Sequence, residues 1–401
     1  MTDAEVLFNP LTPGFTDDPY PHYDRMRDID PVHEHPLGFW LVTRYDDVAA
    51  LLRANLSVEI RNLAGGAVVE QYEEITREGS AFALSMLDRD PPDHTRLRRL
   101  VTKVFTPKAV AALEPKVTAL VDAALDEIAE QRTVDLIDAL AFPLPFAVIS
   151  EMLGMPPTDH VRLRELTGML VRSLEVVIEA DLVQAIASAE IELSNAMREI
   201  IAWKRDNPAD DLLTALIAAE HDGDQLTDDE LVAQVLLLYV AGHETTVNLI
   251  GNGVLALLRN PDQLALLRAR PDLAANAVEE CLRYDSPVQQ SRRITTTPYT
   301  LGGREIPAGT FVAAALASAN RDDRHFGPTA NELRIDREDA RTQVSFGAGP
   351  HHCLGAALAR LEGRVAIGRL VSRFPNLALN GTVEWNGRLN LRGAAKLPII
   401  V

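Results

Sequence analysis

The 401-residue chain has few cysteines, a shortage of positive charge and no long apolar run. Its two cysteines, Cys281 and Cys353, cannot build a disulfide framework, which fits a reducing compartment. Lys and Arg number 39 against 58 Asp and Glu, and the net charge of −19 argues against a general binder of nucleic acid or of anionic membranes. The most apolar runs, 136–149 and 231–242, are too short and interrupted to span a bilayer. The first 24 residues contain no Lys or Arg, so the basic start of a signal peptide is missing, and we expect a soluble, cytoplasmic protein.

One cysteine stands in an unusual glycine-rich setting. The stretch Phe346–Gly355 reads FGAGPHHCLG, in which Gly347 and Gly349 allow the backbone to turn tightly before Cys353. The apolar spacing over 354–374 predicts a helix, so we expect Cys353 at a helix N-terminus, where the dipole favours the thiolate. Such a sulfur is a ready ligand for a soft metal, and the alternative is a small buried apolar side chain.

A second pattern lies in a long predicted helix. Thr227-Asp-Asp-Glu230 forms a capping box, and the apolar residues that follow predict a core helix over about 228–260. Ala241–Thr246, reading AGHETT, places glycine, charge and hydroxyls in the middle of that helix. Such a conflict with helix stability indicates a functional segment. Although His243 and Glu244 begin an H-E-x-x-H zinc motif, Val247 occupies the position of the second histidine and excludes it.

These two patterns together resemble one family. Phe346, Gly349, Cys353 and Gly355 match the F-x-x-G-x-x-x-C-x-G signature of the cytochromes P450, and Ala241–Thr245 matches their A-G-x-[DE]-T motif. The resemblance covers essentially the whole chain, with the motifs in the family's order.

An E-x-x-R pair supports the resemblance. Glu280 and Arg283 lie one helical turn apart, seventy residues before the cysteine. Alone, this spacing also describes many surface ion pairs. In the family the pair is structural and is completed by a later arginine, for which Arg337 is the candidate.

The resemblance implies a mainly α-helical fold with small β-sheets, the cytochrome P450 fold, as one domain over residues 1–401. Haem b would lie between the distal helix, about 228–260, and the cysteine loop 346–355. Two amphipathic helices within 158–205 would form the lid over the substrate. The stretch from Asn55 to about Leu87 shows no firm periodicity, and we expect an irregular segment there that forms one wall of the substrate site.

The resemblance also assigns residues to roles. Cys353 would bind the haem iron, and Glu244 and Thr245 would form the catalytic pair that delivers protons. The other cofactor-binding positions would be His94, Arg98, Gly242, Arg293, Phe346, Gly347, Gly349, His351 and Gly355. Arg292 is one residue away from Arg293 and remains an alternative contact for the haem propionate, while a solvated basic face is the alternative for His94 and Arg98. Candidate substrate contacts are Leu84, Met86, Val240, Ala241 and Val288.

The implied activity is hydroxylation of a hydrophobic small molecule of steroid, terpenoid, fatty-acyl or polyketide type, using O₂ and two electrons. The sequence contains no flavin, nicotinamide or iron–sulfur motif, so we expect a separate ferredoxin and ferredoxin reductase. A basic docking patch for an acidic ferredoxin would comprise Arg96, Arg99, Lys103, Arg360 and Arg364. A peroxide-driven peroxygenase and a non-enzymatic haem-thiolate sensor or ligand-binding protein are the alternatives.

Overall fold

The computed structural model describes residues 8–76, 80–156, 160–175, 180–221 and 223–401. These residues form two compact units, each built from separate stretches of the chain. The described residues of Met1–Leu56, Val117–Leu144 and Thr245–Val401 form the first unit, and those of Ser57–Lys116 and Pro145–Glu244 form the second. One domain with the bounds 1–401 stays a prediction.

Helices dominate both units, which confirms the predicted fold class. In chain order they are α1 Tyr20–Ile29, α2 Tyr45–Arg53, α3 Ala67–Ile75, α4 Asp93–Val104, α5 Pro107–Ala112, α6 Glu114–Gln131, α7 Pro143–Leu153, α8 His160–Leu170, α9 Ala180–Asp206, α10 Leu212–Ile217, α11 Asp228–Arg259, α12 Pro261–Ala269, α13 Ala274–Tyr284, α14 Leu316–Ala319, α15 Asp323–Phe326 and α16 Ala356–Arg373. None of the helices within the described ranges is both long enough and apolar enough to cross a membrane.

The strands are short and form small sheets. They are β1 Val32–Glu34, β2 Trp40–Val42, β3 Thr133–Asp135, β4 Glu220–His221, β5 Asp224–Gln225, β6 Gln290–Ile294, β7 Tyr299–Leu301, β8 Arg304–Ile306, β9 Phe311–Ala315, β10 Ala378–Leu379, β11 Glu384–Trp385, β12 Ala394–Lys396 and β13 Pro398–Ile400. The largest sheet has the order β1-β2-β9-β6, in which only the β2–β9 pair is parallel. A three-stranded sheet has the order β10-β13-β3, and three two-stranded ribbons complete the set in the described residues.

The four-stranded sheet fixes the position of β6 within the first unit. Side chains alternate between the two faces of a strand. Ala314 of β9 accordingly joins the apolar cluster that contains Leu52 of α2, whereas its neighbour Ala313 joins the cluster that contains Tyr23 of α1. Because β6 pairs with β9 along its whole length, with Arg293 opposite Val312, the sheet holds β6 next to α2.

Helix α11 begins where the capping box predicts. The Thr227 backbone N–H donates to Glu230 Oε2 over 2.9 Å, and the Glu230 N–H donates to Thr227 Oγ1 over 3.2 Å. All residues of Leu231–Val240 are buried, as expected for a core helix. The helix ends at Arg259, before the Asn260-Pro261 pair.

The segment between α2 and α4 is more regular than the sequence indicates. It contains α3 and the short 3₁₀ turns Ile60–Asn62, Phe82–Leu84 and Met86–Asp88, so the expectation of an irregular segment is wrong for α3. Ile75 is the only buried residue among those with described side chains in α3. A helix with so narrow an apolar face leaves little periodicity in the sequence.

Candidate active site

The cysteine loop closes on itself just before α16. The Cys353 backbone N–H donates to the Phe346 carbonyl oxygen over 2.9 Å. Helix α16 begins at Ala356 with Gly355 as its N-cap, so Cys353 lies two residues before the cap rather than in the first helical turn. The expected position at a helix N-terminus therefore needs correction by a few residues, and the cysteine N–H is already used within the loop.

Glycines shape this loop for steric reasons. Gly347 and Gly349 have φ values of +68° and +70°, a region that side-chain-bearing residues rarely adopt. A Cβ on Gly349 would also lie 2.7 Å from the carbonyl oxygen of Leu52, at the end of α2. On the other side of the cysteine, a Cβ on Gly355 would lie 3.9 Å from Cys353 Sγ. The glycines let the loop approach α2 and keep side-chain bulk away from the sulfur.

Neighbouring side chains hold the loop in place. Asn320 accepts the Val344 N–H with its Oδ1 over 2.8 Å and donates with its Nδ2 to Ser345 Oγ over 2.8 Å. At the start of the loop, the Arg360 guanidinium of α16 lies 4.5 Å from the centroid of the Phe346 ring. The backbone before the cysteine is thus positioned by buried polar contacts and a cation–π contact.

The E-x-x-R pair is a buried structural network. Glu280 accepts two hydrogen bonds from Arg283 at 2.7 Å each and a third from Arg337 Nε at 3.1 Å. Arg283 also donates to the carbonyl oxygens of Asn320 and Ala330. This arrangement confirms both the pair and the predicted third member, Arg337.

The two cysteines have opposite environments. Cys281 is fully buried, and burial raises the pKa of its thiol well above the usual value, so it stays protonated. Cys353 is exposed. In the described ranges no group of three or more His, Cys, Asp or Glu side chains is arranged to hold a metal ion. One accessible sulfur on a glycine loop therefore fits an iron whose other ligands belong to a cofactor, which is the donor set of thiolate-ligated haem.

The middle of α11 is accessible although the preceding turns are not. After the buried run Leu231–Val240, Ala241 is exposed, and Gly242, Glu244 and Thr245 are half-buried. A carboxyl and a hydroxyl in adjacent positions can pass a proton through a shared water. The predicted catalytic pair, Glu244 and Thr245, thus lies in a partly accessible stretch of the helix.

Gly242 has a packing role that the sequence does not reveal. A Cβ at this position would lie 3.2 Å from Cδ1 of Ile149 on α7. The adjacent His243 is buried, with its Nδ1 2.9 Å from the Tyr239 carbonyl oxygen and its Nε2 3.4 Å from Thr167 Oγ1 of α8. These contacts fix the rotation of α11 at its motif.

His94 and Arg98 lie on one face of α4, as their spacing predicts. His94 is 2% exposed, and Arg98 is half-buried. Burial lowers the pKa of His94, and the positive charge of Arg98 lowers it further. His94 is therefore neutral near pH 7 and can donate one ring N–H to an anionic ligand.

Arg293 lies beside the cysteine loop. It is 3% exposed, and its Nη2 donates over 3.2 Å to the Leu52 carbonyl oxygen, the atom that Gly349 approaches. Its neighbour Arg292 points to the other face of β6 and is half-buried. His351, also half-buried, follows Gly349 in the loop. The first unit thus brings together Arg293 and the cysteine loop.

Comparison with known proteins identifies the family. The family model described as cytochrome P450 matches residues 170–270 and 267–386. Cytochrome P450 107B1 of Saccharopolyspora erythraea is 43% identical over 397 residues, which cover 96% of each chain. The chain belongs to the cytochrome P450 family. The vitamin D(3) 25-hydroxylase of Pseudonocardia autotrophica is 42% identical, over 96% of this chain and 94% of that protein. The crystal structure of the myxobacterial cytochrome P450 CYP267B1 in complex with myristic acid superposes with a TM-score of 0.90, at 36% identity and 98% coverage of both chains.

Membership in this family establishes the cofactor and the reaction class. This cytochrome P450 binds haem with a cysteine thiolate as iron ligand, and it is a monooxygenase that acts on small molecules. As a bacterial-type P450 it receives its electrons from redox partners.

The candidate substrate contacts lie on several elements. Met86 and Val240 are buried, Leu84 and Val288 are half-buried, and Ala241 is exposed. Two buried side chains that hold the segment around Leu84 and Met86, Glu190 and Gln234, were not identified from the sequence. The sequence does distinguish Gln234, because it is a polar residue within the apolar run of α11. It does not distinguish Glu190, which lies in an ordinary amphipathic pattern.

Proposed function

We propose that this cytochrome P450 hydroxylates a hydrophobic molecule of steroid, terpenoid, fatty-acyl or polyketide type. The single observation that carries the proposal is the accessible Cys353 sulfur on its glycine loop. The apolar candidate contacts Val240, Met86 and Val288 favour a hydrophobic substrate. The relative named vitamin D(3) 25-hydroxylase and the solved structure in complex with myristic acid agree with this class.

Haem binding is the second part of this proposal. When bound, thiolate-ligated haem supplies the activation of O₂ and the insertion of one oxygen atom into a C–H bond. In this proposal Cys353 is the iron ligand, and Phe346, Gly347, Gly349 and Gly355 shape the loop that presents it. His94, Arg98, Arg293 and His351 would bind the propionates, and Gly242 would leave room beside the cofactor. Arg292 remains the alternative to Arg293.

Protons reach the reaction through α11 in this proposal. Glu244 would exchange protons with solvent, since this residue is only half-buried. The Thr245 hydroxyl, one residue further along, holds the water that passes each proton on. The pair would therefore couple electron uptake to product formation rather than to release of peroxide.

We propose a ferredoxin and its reductase as the electron source, in the cytoplasm. Arg99 and Lys103 are exposed on α4 and suit an acidic partner. Two members of the predicted patch are engaged within the chain, because Arg96 pairs with Asp224 and Glu230, and Arg360 pairs with Glu279. Arg99, exposed on α4, is the member of the predicted patch on which we base the docking proposal.

The absorption spectrum of the reduced, CO-bound protein tests the haem assignment. A band near ~450 nm identifies thiolate-ligated haem, whereas a band near ~420 nm in folded protein contradicts Cys353 as ligand. Cys353→Ala should lose the first band. Cys281→Ala is the matched control, since it removes the other thiol, and it should keep the band.

Thr245→Ala separates the proposed monooxygenase from its alternatives. With NADPH, ferredoxin and reductase, the variant should consume reducing equivalents, release hydrogen peroxide and lose product. Thr246→Val, a change of the adjacent buried threonine, serves as the control. Undiminished product driven by added peroxide would favour the peroxygenase, and the absence of any turnover in the unmodified protein would favour the sensor.

A further inference from the structure

The segment Ser80–Asp88, here called the wall loop, carries Leu84 and Met86. Its regular structure consists only of the 3₁₀ turns Phe82–Leu84 and Met86–Asp88. The first N–H groups of such turns have no partner within the turn and need another acceptor. The wall loop therefore depends on other elements of the second unit for its conformation.

Helix α9 supplies the acceptor for the beginning of the wall loop. Glu190 has no exposed surface, and its Oε1 accepts the N–H groups of Ala81 and Phe82, each over 3.0 Å. Ser194, one turn along α9, donates its hydroxyl to the same oxygen over 2.9 Å. A buried carboxylate is costly unless several hydrogen bonds offset its desolvation. Three donors converge here on Oε1, so this oxygen and the start of the wall loop satisfy each other, whereas Oε2 has no hydrogen-bond partner among the described residues.

Helix α11 holds the end of the wall loop with an amide. Gln234 is also fully buried, and its Oε1 accepts the Met86 N–H over 3.1 Å. Its Nε2 donates over 3.2 Å to the carbonyl oxygen of Leu84. The two ends of one side-chain amide thus hold the backbone on both sides of Ser85 and fix the direction in which Leu84 and Met86 project.

We propose that Glu190 and Gln234 are positioning residues that determine ligand selectivity by fixing the wall loop. Neither side chain needs to touch the substrate, because each acts through backbone atoms next to Leu84 or Met86. The inference rests on the proposed function in so far as Leu84 and Met86 line the substrate site. When both ends of the wall loop are fixed, it discriminates between ligands by their shape. When either end is released, this discrimination is weaker.

Hydrogen exchange of wall-loop amides tests whether the two anchors act as described. In Glu190→Ala the exchange of Ala81 and Phe82 should rise at least tenfold, with little change at Met86. In Gln234→Met, which keeps the side-chain volume, the rise should appear at Met86. Glu190→Gln keeps an acceptor oxygen and should restore slow exchange. Glu192→Ala is the matched control on α9, since Glu192 is exposed and pairs with Arg162.

Azole titrations of the haem-loaded variants test selectivity. Imidazole is small and clotrimazole is bulky, so a change in the wall loop should affect the binding of clotrimazole far more. Glu190→Ala and Gln234→Met should each change the dissociation constant of clotrimazole at least tenfold and that of imidazole less than twofold. Glu190→Gln should bind both azoles like the unmodified protein. If Glu190→Ala does not fold, the azole binding of Gln234→Met tests the inference by itself.

Two results would overturn the inference. Faster amide exchange with unchanged clotrimazole binding would make the anchors purely structural. Equal changes for both azoles would indicate general damage to the haem site. A failure of the proposed function is seen separately, since the unmodified protein would then form no hydroxylated product with ferredoxin and reductase, while its azole binding could still be measured.

Discussion

Gly349 of the cysteine loop packs directly on the end of α2, where a Cβ would lie 2.7 Å from the Leu52 carbonyl oxygen. That carbonyl also accepts a hydrogen bond from Arg293 and cannot retreat without breaking it. The loop, α2 and β6 are therefore fixed together at one backbone atom. The position of Cys353 depends on this contact, four residues further along the chain.

We predict that Gly349→Ala lowers both stability and haem content. The alanine would be strained at φ +70° and would also collide with backbone that is fixed. Conformational strain alone costs about 1 kcal/mol, and the collision adds to it. Thermal unfolding and the ratio of Soret to protein absorbance measure the two effects.

Gly387→Ala is the matched control for this prediction. Gly387 has nearly the same φ, +67°, but an added Cβ there would meet nothing within 4 Å. It should cost about 1 kcal/mol and leave haem content unchanged. Equal losses in the two variants would show that the contact with Leu52 does not hold the loop.

The buried network around Glu280 predicts a large loss of stability for Arg283→Ala. The change would leave the Glu280 carboxylate with one guanidinium partner, Arg337, and would free the carbonyl oxygens that Arg283 contacts. Breaking a buried ion pair costs about 3 to 5 kcal/mol. Arg270→Ala breaks an exposed pair with Asp272 and should cost less than about 1 kcal/mol. Urea unfolding measures both, and similar midpoints would contradict the prediction.

Relations set by helix geometry could be predicted from the sequence. The capping box of Thr227 and Glu230 and the pair Glu280 and Arg283 each join residues three apart, and the structure has both. A helical turn brings such residues together whatever the rest of the fold does. The cysteine loop could be recognised for a similar reason, since its glycines and cysteine lie within ten residues.

Relations between distant segments could not be predicted. Nothing in the sequence near Gly349 indicates that it touches Leu52, and nothing near Ala81 indicates that Glu190 accepts its N–H. Both contacts join residues that are more than 100 positions apart in the sequence, so they depend on tertiary packing. The ion pairs of Arg96 with Asp224 and Glu230 could not be predicted for the same reason, and they remove Arg96 from the predicted docking patch.

Arg99 and Arg96 should respond differently to substitution. Charge reversal by Arg99→Glu changes an exposed side chain and should slow reduction by an acidic ferredoxin several-fold at low salt, with little effect on stability. Arg96→Ala should instead lower the unfolding midpoint, because it removes the partner of Asp224 and Glu230. Stopped-flow reduction and thermal unfolding distinguish the two effects.

Arg205→Glu on α9 controls for the change in net charge. Equal slowing by Arg205→Glu and Arg99→Glu would show that overall charge, rather than a surface on α4, governs reduction. Unchanged reduction rates in Arg99→Glu would remove α4 from the proposed docking surface.

Because of the buried side chain of Glu362, we predict that the stability of the protein falls as the pH rises. This α16 side chain has no exposed surface, and neither carboxyl oxygen has a hydrogen-bond partner among the described residues. Burial raises its pKa well above 4.5 in the folded state. Between the unfolded and folded pKa values, the native chain holds a proton that the unfolded chain releases. Within this interval the free energy of unfolding falls by roughly 1.4 kcal/mol per pH unit, and the loss reaches its full size above the folded pKa.

Glu362→Gln should therefore be more stable than the unmodified protein, by a margin that grows from pH 5 to pH 7. The amide keeps the shape of the side chain and cannot ionise, so it removes the proton-linked cost and leaves the packing of α16 as it is. Glu199→Gln, at an exposed position of α9, should show no such growing margin. Urea unfolding at several pH values measures the difference, and parallel curves for Glu362→Gln and the unmodified protein would show that Glu362 is ionised in the folded chain.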